Sequence, residues 1–333
     1  MTDRGWPWPV GAATGIGSLP GTDIAEAQRI VLGEFPALPH LPELPARGPG
    51  ADLIGRTAGL LVELPVELYA ARWRVAPRPG KDLRRARDLM ERDLDQLAEQ
   101  AEEYAGTVKV QAGGPVTLAA SLELPIGGRM LRDLGAVRDL AGSLAEGLRG
   151  HVEAVARRMP RAGVLLQLDE PSLPAVLAGR VPTESGLGTY RAMESEVAAG
   201  LLRDVIESAG VPTVVHCCAV DVPLELIRSA GAVGVALDLS RVTDLDPLGE
   251  ALDAGLGLVA GAAPTSPPTG GAPTSAQVAD RVRGLWDRLG FPRGQLAEQV
   301  VVTPACGLAG ATPAYARAVL AACRDAGRRL AEV

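Results

Sequence analysis

Short apolar runs alternate with longer segments of helical periodicity along most of the chain. The apolar runs consist mainly of Val, Leu, Ala and Gly with few polar interruptions, which is typical of parallel strands buried on both faces. The predicted strands are AATGIGS (12–18), Leu61–Pro65, 107–113, 163–169, 212–218, 233–239, 257–263 and 299–306. The predicted helices are 23–35 (with Thr22 as its cap), 83–104, 131–158, 189–209, 222–230, 246–254, 275–289 and 313–330.

Eight strand–helix units in 333 residues predict a single (β/α)₈ TIM barrel over residues 1–333. The Pro-rich segment 36–50 is expected to be an extended insertion after strand one, and 264–275 a mobile loop after strand seven. A doubly wound open sheet is the alternative fold. The segment GIGSLPG (15–21) lacks the GxGxxG spacing, which disfavours dinucleotide binding.

Composition narrows the class of protein. The chain is 47% hydrophobic but only 3% aromatic, so a large aliphatic core is expected. A net charge of −7 disfavours a nucleic-acid surface, and no apolar run approaches the roughly 20 residues of a membrane span. Four cysteines are too few for a disulfide scaffold of this size. We therefore expect a cytoplasmic protein with free thiols or metal ligands.

Polar side chains end five of the predicted strands, at Ser18, Asp169, His216, Asp238 and Cys306. In a parallel barrel these carboxyl ends share one face, which is where such folds hold their active sites. Strand alternation places His216 and Cys218 on the same side and Cys217 on the other.

His216, Cys218, Cys306 and a carboxylate form a plausible zinc set, since imidazole nitrogen and thiolate sulfur suit this ion. Ligands scattered singly over several strands are more typical of a catalytic than a structural site. The alternative is that the histidine and the cysteines are core residues. Cys217 and Cys323 are predicted to be core residues, and His151 to lie on a helix surface.

Six motifs occur in an order that resembles the carboxyl-terminal catalytic barrel of cobalamin-independent methionine synthase, in a short form without the amino-terminal domain. The motifs are GIGSLPGT (15–22), GGPVTL (113–118), LDEPSL (168–173), VHCC (215–218), LDLS (237–240) and PACGL (304–308). The resemblance implies a zinc-dependent methyltransferase that methylates the thiol of homocysteine to give methionine.

The resemblance also assigns residues. His216, Cys218 and Cys306 match the zinc ligands of the family, and Asp238 stands where the family has a ligating glutamate. Ile16, Gly17 and Ser18 match the segment that holds the carboxylate of the amino acid. Asp169 matches the carboxylate that binds its ammonium group, and Glu43 matches a second one.

Three departures concern the folate side of the family's site. Ala120 lies near the position of a pterin-stacking Trp, Ala175 stands for a Glu, and the region of strand seven has no His. Methyltetrahydrofolate stays open as the methyl donor, but a methylated corrinoid, which a partner protein could carry, fits these departures better. The competing interpretations are a zinc alkyltransferase acting on coenzyme M, a uroporphyrinogen decarboxylase-like barrel, and a non-catalytic thiol- or zinc-binding module.

Overall fold

The structure is a computed structural model that describes residues 5–269 and 271–332. The strands are β1 (Val66–Tyr69), β2 (Arg72–Val75), β3 (Thr107–Gly113), β4 (Gly163–Asp169), β5 (Thr213–His216), β6 (Gly234–Asp238), β7 (Gly257–Ala263) and β8 (Val300–Pro304). The helices are α1 (Ile24–Glu34), α2 (Leu53–Ala58), α3 (Lys81–Gln100), α4 (Pro115–Ala119), α5 (Leu134–Arg158), α6 (Leu173–Leu177), α7 (Ser195–Ala209), α8 (Leu224–Ser229), α9 (Asp246–Asp253), α10 (Ser275–Leu289), α11 (Arg293–Gln299) and α12 (Pro313–Ala331). Short 3-10 turns cover Pro45–Arg47, Met130–Arg132 and Leu239–Arg241.

Strands β3 to β8 form one parallel sheet in which the spatial order equals the chain order. A doubly wound sheet would reverse its order at a switch point, and this sheet has none, so the open-sheet alternative is wrong. Helices join each strand to the next, and the sheet curls into a half-barrel. Six of the eight predicted strands are thus confirmed. The separate antiparallel pair of β1 and β2 was not predicted.

Two extended segments lie beside the edges of this sheet. Ala13 forms an isolated bridge with Val302 of β8, and His40 forms one with Lys109 of β3. The two segments also meet each other, because the N–H of Leu19 donates to the carbonyl of Glu43. The first segment was predicted as strand one.

The prediction of strand two at Leu61–Pro65 is wrong, because this segment has no strand conformation. The Pro-rich segment takes its place beside β3. Its prolines keep the chain extended, while Leu41 retains an N–H that donates to the carbonyl of Lys109 at 2.9 Å. The expected insertion therefore lies against the sheet rather than apart from it.

The two faces of the sheet pack into different cores. A small inner cluster contains Leu165, Val214 and Ala236, one from each of three neighbouring strands. The outer cluster contains Leu166, Val215 and the other aliphatic residues that face the helices. By strand alternation, the inner face continues through Gln167 and Asp169 on β4 and through His216 on β5. The polar residues at the ends of β4 and β5 thus lie on the inner face.

Three smaller predictions have different outcomes. Asp23, rather than Thr22, caps α1, because its carboxylate accepts from the N–H of Glu26. His151 is buried in α5 and not on a helix surface, so that prediction is wrong. Gly270 of the predicted mobile loop lies outside the described residues, and the mobility of the loop stays a prediction.

In the described parts of the chain, no helix combines the length and the apolar character that crossing a membrane requires.

Candidate active site

The structure brings together three side chains that are far apart in the sequence. One donor atom from each of His216, Cys218 and Cys306 lies within 4.8 Å of the others. His216 is the last residue of β5, Cys218 follows it by two positions, and Cys306 follows the end of β8 by two. The carboxyl ends of β5 and β8 thus supply all three groups, although β6 and β7 separate these strands in the sheet.

The two ring nitrogens of His216 differ in their hydrogen bonding. Its Nδ1 lies 2.7 Å from Oδ1 of Asp169, the residue paired with it across β4 and β5. Its Nε2 is buried and has no hydrogen-bond partner among the described residues. Burial lowers the pKa of His216, but the contacts with Asp169 and Cys218 outweigh it and raise the pKa to about 9. A carboxylate on one ring nitrogen and an unpaired second nitrogen is the usual arrangement of a metal-binding histidine.

The two cysteines form a close sulfur pair. Sγ of Cys306 donates to Sγ of Cys218 at 3.4 Å, and no disulfide joins them. This contact lowers the pKa of Cys218 to about 4 and raises that of Cys306. One thiolate beside a second thiol, with an unpaired imidazole nitrogen nearby, is a donor set that suits a borderline-soft divalent ion.

Asp238 is not part of this cluster, contrary to its predicted place among the metal ligands. Its Oδ1 accepts from the N–H and the hydroxyl of Ser240, at 2.9 and 2.6 Å, and caps the turn Leu239–Arg241. A short aspartate side chain readily binds the backbone two residues further on. A local cap therefore takes the carboxylate that the sequence predicts as a ligand.

A cavity of about 210 Å³ adjoins the three ligand candidates. All five predicted substrate-binding residues line it, namely Ile16, Gly17, Ser18, Glu43 and Asp169, together with His216, Cys218 and Cys306. Gly307 closes the wall beside Ser18, since a Cβ atom at position 307 would lie 2.1 Å from the Ser18 hydroxyl oxygen. One cavity is thus lined by two thiols, an imidazole and two carboxylates.

Glu43 is buried beside a cationic network. Nε of Arg56 lies 3.6 Å from its Oε1, and Arg56 also contacts Asp93 at 3.0 Å. Arg47 completes the network with two hydrogen bonds of 2.7 Å to Asp93. Burial raises the pKa of Glu43 to about 7, although Arg56 acts in the opposite direction.

The raised pKa of Glu43 predicts a pH-dependent stability cost. The folded protein binds the Glu43 proton more tightly than the unfolded chain, so stability is lost as the pH rises from about 4.5 to 7. We expect Glu43→Gln to remove this loss. The free energy of unfolding of the variant, relative to the unchanged protein, should rise by about 2 kcal/mol between pH 5 and pH 8.

Urea unfolding of both proteins at the two pH values measures this difference. All other ionisable groups are the same in the two proteins, so their contributions cancel when the free energies of unfolding are subtracted. An equal gap between the two proteins at pH 5 and pH 8 would contradict the assignment. The same comparison with Glu123→Gln serves as a control, because Glu123 pairs with exposed Arg72 at the surface.

Sequence reasoning missed a buried lysine below the cavity. Nζ of Lys109, on β3, donates to the carbonyl of Ile16 at 3.0 Å and to Oε1 of Gln111 and Gln167 at 3.2 and 2.7 Å. Burial lowers its pKa to about 8, against the opposing effect of Asp169 and Glu43. A lysine inside the predicted strand VKVQ was the available signal. Cys217 and Cys323 are buried, as predicted.

Comparison with known proteins gives one family match. The family profile described as "Cobalamin-independent synthase, Catalytic domain" matches residues 11–329. None of the curated proteins matches the chain.

The solved structures that are similar to this chain include the following two. A B12-independent methionine synthase from Shewanella sp. W3-18-1, in complex with selenomethionine, superposes with a TM-score of 0.61 at 14% identity, over 97% of this chain and 98% of that one. GH5_18 from Streptomyces cattleya, in complex with GlcNAc, has a TM-score of 0.49 at 16% identity, over 96% and 80% of the two chains.

Proposed function

Because the chain belongs to the family of cobalamin-independent methionine synthase catalytic domains, and so is a methyltransferase of that type, we propose that it methylates homocysteine on a bound Zn²⁺ ion. The product would be methionine. The observation that carries the proposal is the single cavity that joins the His216, Cys218 and Cys306 cluster to the carboxylates of Glu43 and Asp169.

His216, Cys218 and Cys306 would hold the ion. The unpaired Nε2 of His216 supports this assignment, because a buried nitrogen without a partner is costly unless it binds something. Bound Zn²⁺ would lower the pKa of the substrate thiol, which is otherwise about 8.5. We assign no metal-binding role to Asp238, so the substrate sulfur would occupy the remaining position.

The remaining polar groups that line the cavity would bind the amino acid. Asp169 and Glu43 offer carboxylate oxygens to an ammonium group, and the segment from Ile16 to Ser18 offers backbone and hydroxyl groups to a carboxylate. These contacts would place the sulfur against the methyl group of the donor. The sulfur electron pair forms the new S–CH₃ bond, the donor leaves with the pair of the broken bond, and the thiol proton goes to solvent. Selenomethionine in the Shewanella structure is consistent with such a site.

We propose a methylated corrinoid, carried by a partner protein, as the donor in preference to methyltetrahydrofolate. Ala120 is buried and offers no aromatic surface for a pterin. Strand β7 consists of Gly, Ala, Leu and Val and offers no proton donor from a side chain. The lack of an aromatic group at Ala120 and of a proton donor on β7 supports a donor other than a folate.

The charge of the cavity weighs against the competing functions. Coenzyme M carries a sulfonate and no ammonium group, so Glu43 and Asp169 would repel it rather than bind it. A uroporphyrinogen decarboxylase-like site needs cations for the substrate carboxylates, and no Lys or Arg is among the residues described as lining this cavity. Homocysteine therefore fits the cavity best.

We further propose that the half-barrel closes into an eight-stranded barrel within one domain. The bridges of Ala13 with Val302, Ser18 with Glu43 and His40 with Lys109 support this closure. The free state of all four cysteines supports the predicted cytoplasmic location.

Metal analysis combined with methyl-transfer assays tests the proposal. We expect one zinc per chain and formation of L-methionine from L-homocysteine with methylcobalamin or a methylated corrinoid protein, and little with methyltetrahydrofolate. Coenzyme M in place of L-homocysteine should give no methylated product. Binding of L-homocysteine without turnover with any of these donors would instead indicate a binding module.

A further inference from the structure

Lys109 is an unusual residue for the inner face of the sheet. The residue is 1% exposed, and its three hydrogen-bond partners are all oxygens, one of them the carbonyl of Ile16 in the cavity wall. Burial of an ammonium group costs several kcal/mol and is weak evidence for a stabilising role. The cation therefore needs another explanation.

An ammonium group only donates hydrogen bonds, so it fixes the orientation of any amide next to it. Lys109 donates to Oε1 of Gln167, and the Nε2 of that residue must then point the other way. Nε2 donates to the carbonyl of Ile16 and to Oδ1 of Asp169, both at 2.8 Å. Without the cation, Oε1 of Gln167 loses the donor that holds it at 2.7 Å, so the amide is no longer anchored beside Asp169.

Oδ1 of Asp169 receives two contacts, from Gln167 and from His216. These contacts fix the carboxylate, and no hydrogen bond to Oδ2 is found within residues 5–269 and 271–332. Because Asp169 lines the cavity, its second oxygen is the one available to a ligand.

We propose that Lys109 is a positioning residue for substrate recognition, acting through the amide of Gln167 to hold Asp169 in the orientation that binds the substrate ammonium group. This inference rests on the proposed function, since it takes the ammonium of homocysteine as the partner of Asp169.

The test compares two ligands that differ only in the ammonium group. L-homocysteine and 4-sulfanylbutanoate share the thiol and the carboxylate, but the second lacks the amino group. Calorimetric titration of the zinc-saturated Lys109→Met variant should show roughly tenfold to a hundredfold weaker binding of L-homocysteine than the unchanged protein. Binding of 4-sulfanylbutanoate should change less than about threefold. A purely structural role would weaken both ligands equally.

Gln167→Met provides a second variant, because it removes the amide itself and keeps the volume. We expect the same selective loss. Gln299→Met is its matched control: Gln299, the last residue of α11, is also buried, and its amide donates to the carbonyls of Leu252 and Leu256. That variant should bind both ligands like the unchanged protein.

Equal weakening of both ligands in Lys109→Met and Gln167→Met, or no weakening of either, would overturn the inference. If Lys109→Met does not fold, the same titration of Lys109→Gln, which also removes the cation, replaces it, and Gln167→Met tests the amide step. Failure of the proposed function has a different signature, because the unchanged protein would then bind L-homocysteine no better than 4-sulfanylbutanoate.

Discussion

Replacement of Cys306 by Ser is expected to remove both the bound zinc and the methyl-transfer activity. The variant keeps a hydroxyl near Cys218, but a neutral hydroxyl is a far poorer zinc ligand than a thiolate. Losing a group that only orients a metal ligand lowers metal affinity or activity tenfold to hundredfold, and losing the ligand itself should lower them further. We expect zinc affinity to fall by more than about a hundredfold and kcat/KM by more than about a thousandfold.

Zinc content by mass spectrometry after dialysis, together with the rate of L-methionine formation, measures the two effects. Cys323→Ala is the control, because Cys323 is a buried cysteine of α12 in the outer core. It should lower the free energy of unfolding by about 1 kcal/mol and leave the zinc content unchanged. An unaltered zinc content in Cys306→Ser would remove the ligand assignment and the proposed function with it.

The cluster of His216, Cys218 and Cys306 could be predicted from the sequence because its members follow local rules. Alternation along a strand puts His216 and Cys218 on the same face, and parallel strands bring their carboxyl ends to one side of the molecule. Cys306 follows the end of β8 by the same two positions as Cys218 follows the end of β5. Both cysteines lie in the first two residues of the loops that follow these strands, where the strand direction still limits their position.

The same kind of rule assigned the second strand to the wrong segment, because it did not account for the Pro-rich segment. Apolar periodicity favoured Leu61–Pro65 as the second strand, whereas the segment beside β3 contains His40 and Leu41 between prolines. Prolines are usually evidence against a strand, because they cannot donate to its neighbours. At an edge with isolated bridges only alternate residues need to donate, and Leu41 does so. The spacing of the prolines therefore indicates that this segment can pair with β3, whereas their number alone does not.

The burial of Lys109 and Asp93 could not be predicted from the sequence, for a different reason. Lys109 and Asp93 are charged residues in segments with ordinary strand and helix patterns. Each lies near opposite charges from distant elements: Asp169 and Glu43 for Lys109, Arg47 and Arg56 for Asp93. Such pairings are tertiary and leave no local periodicity in the sequence.

Asp169→Asn is expected to impair substrate binding far more than zinc binding. Asparagine keeps one oxygen, which can still accept from Gln167 and from Nδ1 of His216. Its amide NH₂ then replaces the oxygen available to the cavity, and it repels an ammonium group instead of binding it. Loss of such a buried charged contact costs about 3 kcal/mol, so the KM for L-homocysteine should rise roughly a hundredfold.

The neighbouring carboxylate supplies the matched control for this change. Glu170 is also buried, but its oxygens accept from the N–H groups of Val116 and Thr117 and from the Thr117 hydroxyl. In Glu170→Gln an amide NH₂ must face one of these donors, so the free energy of unfolding should fall by about 1–3 kcal/mol with the KM nearly unchanged. Steady-state kinetics and urea unfolding of both variants separate the two roles. If Asp169→Asn instead loses its zinc and keeps the KM for L-homocysteine, then Asp169 serves His216 alone and the ammonium group is bound elsewhere, with Glu43 as the remaining carboxylate of the cavity.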